Sequence, residues 1–168
     1  MREEETRTRW ASGQLALDGQ GPGKKQTDLA GETHILELIS AGAPLPVVLN
    51  DLCTAIDVQI GNVVSVILLP DDADRDLQAL ARRAQQFGLH VFWSASIPLR
   101  DESVLGSFEM YCCAPRMPSA SQLQLIQRAT ELAGLAIRSH HGGSELGGAG
   151  REWRSAVGRR LHEAALLN

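Results

Sequence analysis

The side chains with the most chemical capacity in this chain gather in one stretch, Gly88 to Arg116, "GLHVFWSASIPLRDESVLGSFEMYCCAPR". It carries His90, Ser94, Ser96, Ser107, Glu109 and Tyr111, and with them Cys112 and Cys113. Hydroxyls and a carboxylate at alternate positions of two strands share one face and could line a polar site for a small molecule. A carboxylate on such a face must meet solvent, a hydrogen-bond donor or a ligand, because burial without a partner is costly. The 3 cysteines, Cys53, Cys112 and Cys113, make neither an even disulfide framework nor a paired CxxC metal pattern. Neighbouring strand residues point to opposite faces, so Cys112 and Cys113 read as buried reduced thiols, not as a redox or metal pair. His140 and His141 are adjacent in a Gly-rich segment, with His90 and His162 elsewhere. They lack fixed geometry and cysteine or carboxylate partners, so no metal and no cofactor is expected.

The stretch itself reads as a β-hairpin. A turn at Asp101-Glu102 pairs Ile97 with Gly106, Ala95 with Phe108, Trp93 with Met110 and Val91 with Cys112 on one apolar face. The other, half-polar face pairs Ser96 with Ser107, Ser94 with Glu109, Phe92 with Tyr111 and His90 with Cys113. A slip of one residue would exchange the faces, so their segregation argues for this register.

The elements around the hairpin follow from punctuation and period. "THILELISAG" predicts a helix with Thr33 as cap and Gly42 as stop. A second helix has Pro46 in its first turn and Leu45, Leu49, Leu52, Cys53 and Ile56 on one stripe. "VVSVILL" is β-branched and apolar almost throughout, as in a strand buried on both faces. A helix from Asp74 or Asp76 to Phe87 turns Leu77, Leu80, Ala81 and Ala84 inward and Arg82 and Arg83 outward, and ends at Gly88. Ser119 and Gln122 make a capping box for a long helix with Leu123, Ile126, Leu132, Ala133 and Ile137 inward. Beyond the Gly-rich "RSHHGGSELGGAG", the tail "REWRSAVGRRLHEAALLN" aligns Trp153, Val157, Leu161 and Ala164 along one side of a short amphipathic helix, which Gly158 weakens.

With 168 residues the chain suits one core. Residues 1–33 read as an arm or linker, 34–138 as the domain, and 139–168 as a Gly-rich linker and tail helix. Hydrophobic content of 43% and a formal charge of −4 give no general attraction to nucleic acid or an anionic membrane. The apolar runs fall short of the roughly 20 residues a membrane helix needs, and "MREEETRTR" lacks the apolar core of a signal peptide. The cytoplasm is the expected compartment.

The order helix, helix, strand, helix, hairpin, helix, with these words in it, resembles the GAF domains of bacterial signalling proteins. "ILELISAGAPLPVVLNDLC" looks like the family's opening helices and "NVVSVILLPDD" like its first central strand. The Gly-Leu-x-x-x-Trp-Ser-x-x-Ile strand from Gly88, the Leu105-Gly106-x-Phe108 strand, the Pro115-Arg116-x-Pro118-Ser119 turn and the last helix are similar to the end of the family pattern. The resemblance spans Thr33 to about Arg138 and implies an α+β, three-layer, profilin- or PAS-like fold. It departs from the pattern at one place: only "PDDADRD" stands between Leu69 and Leu77, where family members carry two edge strands, a helix and most of the ligand pocket. The implied remainder is an antiparallel sheet of about three strands, in the order Val63 to Leu69, Phe108 strand, Trp93 strand, packed against N- and C-terminal helices.

Loss of the edge strands leaves "VVSVILL" and "HVFWSASI" as outer strands with unpaired backbone groups, a composition that invites pairing with another chain. The expected function is therefore a noncatalytic signalling or protein-interaction module, self-associating through helices or sheet edges. Val64, Val66, Trp93, Trp153 and Leu161 are its expected interface residues. A homodimer is the expected assembly, with another signalling protein as the other class of partner. The alternative is a small-molecule sensor with a reduced pocket at His90, Ser94, Ser96, Ser107, Glu109 and Tyr111. A remoter alternative is the cysteine-dependent reduction of methionine sulfoxide carried out by one GAF-like family, which requires an activated thiolate.

Overall fold

The computed structural model describes residues 28–69, 73–98, 104–140 and 146–166. They form an α+β fold: helices α1 (Glu32–Ser40) and α2 (Leu45–Ile60), strand β1 (Val63–Leu68), helix α3 (Ala73–Gln86), strands β2 (His90–Pro98) and β3 (Val104–Cys112), and helices α4 (Ala120–His140) and α5 (Leu146–Leu166). The arm up to residue 27 and the expected turn at Asp101-Glu102 lie outside the described residues, as do the side chains of Leu77 and of the first residues of α3.

The three strands make one antiparallel sheet in the order β1-β3-β2, the order expected from the sequence. The hairpin register is as expected from Ile97–Gly106 through Trp93–Met110, and then departs from it. A β-bulge at Phe92 makes Val91 the partner of Tyr111 and His90 the partner of Cys112, in place of the Phe92–Tyr111, Val91–Cys112 and His90–Cys113 pairs. Two residues of β2 then oppose one of β3, which buries Phe92 and turns Val91 out to 54% exposure. Arg116 holds this corner: its guanidinium lies 4.9 Å from the Phe92 ring centroid and donates to the carbonyl of Gly61 at 2.7 Å. The arginine of the Pro-Arg-x-Pro-Ser turn thus ties the bulge to the entry of β1.

Gly106 is required by the packing of β3 on β1. Its φ is +152°, and a Cβ there would stand 2.1 Å from the carbonyl oxygen of Leu68. Only glycine admits that approach.

Helices α2 and α4 pack on each other and on the sheet, and α2 buries Leu45, Leu49, Leu52, Cys53 and Ile56 as its periodicity requires. Facing them are Phe108, Met110 and Ile97, all fully buried. At the start of α4 the amide of Gln122 donates to Ser119 Oγ at 3.2 Å and the amide of Ser119 to Gln122 Oε1 at 2.9 Å, the reciprocal bonds of a capping box. Helix α1 differs from expectation at its start: Thr33 lies inside the helix and Gly31, at φ +82°, occupies the cap with no side-chain bond. Arg128 of α4 compensates by hydrogen bonding Glu32 in the first turn of α1, holding the Glu32 carboxyl below its ordinary pKa.

Helix α3 packs across all three strands, with Leu80 and Ala84 buried, Ala81 half-buried, Arg82 and Arg83 exposed and Gly88 at φ +71° as its stop. The tail helix is longer than the sequence suggests. It begins at Leu146, inside the Gly-rich break, and its 21 residues lie on β1 and α2.

Candidate functional site

The two edges of the sheet are treated differently, and the difference defines the site. At β1 the edge is closed by the chain's own tail. Trp153, Val157 and Leu161 recur at a four-residue spacing on α5 and are all buried. The indole Nε1 of Trp153 donates to the carbonyl of Ile67 at 2.5 Å, and Nε of Arg160 donates to the carbonyl of Ser65 at 3.0 Å. Alternate residues of a strand direct their backbone groups to the same side, so these are two successive carbonyls of the outer edge. The expectation of an unpaired β1 edge is therefore corrected: side chains of α5 occupy two of its outward carbonyls.

Arg160 is the hub of this closure. Its Nη1 reaches Asn50 Oδ1 at 3.2 Å and Thr54 Oγ1 at 3.1 Å, and its Nη2 pairs with Asp57 Oδ2 at 2.5 Å. The other oxygen of Asp57 accepts from Ser65 Oγ. Burial pushes the Asp57 carboxyl up to about 6, with Arg160 and Ser65 opposing it. Among the expected interface residues, Val64, Val66, Trp153 and Leu161 are all buried within this chain. Trp93 is half-buried.

The β2 edge is exposed. His90, Val91, Ser94, Ser96 and Pro98 reach solvent, and across from Pro98 Val104 is 53% exposed. Beside this edge runs a groove of about 730 Å³ between β2 and α4. Trp93, Ala95, Ile97 and Pro98 form one wall, the residues that alternation places on a single face. The other is α4, through Ala120, Leu123, Gln127, Thr130, Gly134 and Arg138, a stripe at spacings of three and four. At Gly134 the helix lies close against the strand: a Cβ there would be 3.3 Å from Ile97 Cγ2.

The polar residues of the hairpin do not line this groove, since Ser94 and Ser96 alternate with its wall. His90, Ser94 and Ser96 are exposed, Ser107 is half-buried, and Glu109 and Tyr111 are buried. One contact joins them: Ser94 Oγ donates to Glu109 Oε1 at 2.9 Å. Burial pushes the Glu109 carboxyl up to about 7 against hydrogen bonds from Ser94 and Ser107. Tyr111 is raised too, by burial and then by Glu109. Burial therefore favours the protonated carboxyl, the hydroxyl donors favour the ionised one, and no cation stands among its named partners.

Two of the three thiols are placed as packing groups, and the expectation of a buried Cys113 is corrected: β3 ends at Cys112, and Cys113 lies beyond the strand. Cys53 is fully buried, and burial pushes it up to about 12. Cys112 is buried with Sγ 3.1 Å from the carbonyl oxygen of Ala114, and burial raises it as well. Cys113 is exposed.

Sequence reasoning missed Arg160 and Asp57, and the α4 wall of the groove. Arg160 is one of several arginines on the tail, Asp57 lies 103 residues away on another helix, and the backbone carbonyl that Arg160 also bonds leaves no trace in the partner's sequence. The α4 wall mixes Ala, Leu, Gln, Thr, Gly and Arg, so no hydropathy signal marks it. No helix among the described residues is long and apolar enough to cross a membrane. The chain matches no protein-family model, no curated protein and no solved structure.

Proposed function

We propose that the chain is a noncatalytic interaction module, a GAF-like domain in reduced form, that associates with a second copy of itself through the β2 edge and the adjoining groove. The observation that carries this reading is the asymmetry of the sheet: β1 is capped by α5, whereas β2 leaves its strand edge in solvent beside a groove whose strand wall, Trp93, Ala95, Ile97 and Pro98, is apolar. An exposed edge of this composition is a template for strand pairing. The same edge on two molecules is self-complementary about a two-fold axis, which closes the assembly at a dimer. The sheet order supports the GAF-like reading. The burial and raised pKa of Cys53 and Cys112 support a noncatalytic one, because thiol chemistry needs the thiolate. A further signalling protein that offers a strand to β2 would use the same surface.

Light scattering across a concentration series tests the proposal. The wild-type chain is expected at dimer mass, and Ala95→Lys, which places a charge on the apolar wall, at monomer mass with an unchanged circular dichroism spectrum. A wild-type monomer at high micromolar concentration overturns it.

A further inference from the structure

We infer that α5 is a removable guard of the β1 edge, and that its release exposes a second pairing surface whose partner is the same edge of a second copy. The guard is held on mostly by side chains. Two donors, Trp153 Nε1 and Arg160 Nε, occupy the carbonyls of Ile67 and Ser65 that a neighbouring strand would otherwise use. Beneath them β1 is "VVSVIL", apolar on both faces and without charge or proline, so nothing on the strand itself blunts its edge.

The helix has little stability of its own. Its sequence, LGGAGREWRSAVGRRLHEAAL, holds glycine at 147, 148, 150 and 158, each of which disfavours helix relative to alanine. It is therefore helical because it is docked, and the Trp153, Val157, Leu161 and Arg160 contacts are made and lost together. Arg160 concentrates this dependence, since one side chain reaches Ser65, Asn50, Thr54 and Asp57 from the tail. When the tail leaves, Asp57, Asn50 and Thr54 stay satisfied by water, and β1 presents a bare edge.

The partner follows from the backbone. Antiparallel pairing of one edge with its own copy needs no complementary sequence, only a two-fold axis. A chain with one open edge closes as a dimer; a chain with both edges open adds copies at either end without closing. The guard therefore sets the number of copies in the assembly. This count rests on the β2 reading above, whereas the release of β1 does not.

The test uses the full chain with the double substitution Trp153→Phe and Arg160→Met, which removes both donors and keeps an aromatic ring and an unbranched side chain in their places. Light scattering is read with and without Ala95→Lys. The double variant is expected to grow in mass with concentration beyond the wild type, and in the Ala95→Lys background to rise from monomer to dimer. If the wild type is a monomer and the double variant a dimer, the β2 reading fails and this inference stands. A folded double variant with the mass of its parent in both backgrounds overturns the inference. So does a dimer in which the amides of α5 remain protected, because the tail is then exchanged between copies and not released. Amide exchange on the wild type is independent of how the variants fold: residues 153–161 are expected to exchange well before β3, and exchange of both only through global unfolding overturns the guard.

Discussion

The indole nitrogen of Trp153 donates to the carbonyl oxygen of Ile67 across 86 residues of sequence, so a helix makes at the edge of β1 the bond that a strand would make. A few residues along α5, Arg160 repeats the arrangement at Ser65. The three-stranded sheet has one covered edge and one open edge, and the predictions below follow from how each is built.

Loss of Arg160 should be the most damaging single change on the tail. Arg160→Ala leaves Asp57 without its cation in a mostly buried site, with side-chain exposures of 12% and 18% for the pair. Breaking such a pair costs about 3 kcal/mol, read as a lowered urea midpoint. Asp57→Asn in the Arg160→Ala background should recover part of that loss, because a neutral amide in the same place needs no counter-charge.

Stability should fall as pH rises toward neutrality. The folded-state pKa of Glu109 is raised from 4.5 to about 7, so the native state binds this proton more tightly than the unfolded chain does. The contribution is complete below pH 4.5, is lost as pH rises to 7, and is flat above. Its size is about 3 kcal/mol. Asp57, raised from 3.8 to about 6, adds a slope of the same sign over a lower window. Glu32, lowered by Arg128, has the opposite sign and acts in acid, below its ordinary 4.5. Asp57 and Glu109 therefore overlap up to pH 6, and denaturation midpoints between pH 6 and 8 report Glu109; Glu109→Gln should remove most of the slope there and be the more stable protein at pH 8.

Two glycines should respond oppositely to alanine. At Gly106 the new Cβ meets the Leu68 carbonyl oxygen at 2.1 Å and φ is +152°, so Gly106→Ala should cost more than about 2 kcal/mol through backbone strain. At Gly134 the nearest atom, 3.0 Å away, is the end of the flexible Arg138 side chain, and the helical backbone favours alanine. Gly134→Ala should change stability by less than about 1 kcal/mol. Thermal melts of the two variants make the comparison.

The residues that local rules govern were legible: the capping box at Ser119 and Gln122, the α2 stripe, the helix stops at Gly42 and Gly88, and the hairpin register from Ile97 to Trp93. The bulge at Phe92 was not, because Val91, Phe92 and Trp93 are all apolar and the pattern does not say which one is extra. Thr33 was misplaced because a glycine with positive φ can end a turn as well as a capping hydroxyl. Trp153 and Leu161 read as a buried stripe, but their target did not: a side chain that bonds a backbone carbonyl imposes nothing on the sequence that owns it. For the candidate site, the apolar wall of β2 was visible as alternation, whereas the space between it and α4 is a property of packing alone.

Amide exchange along β2 as protein concentration is raised tests self-association at that edge most directly. The account predicts that the amides of β2 that point away from β3 gain protection with concentration while β1, already covered by α5, does not change. Exchange in β2 that is independent of concentration into the high micromolar range would contradict it.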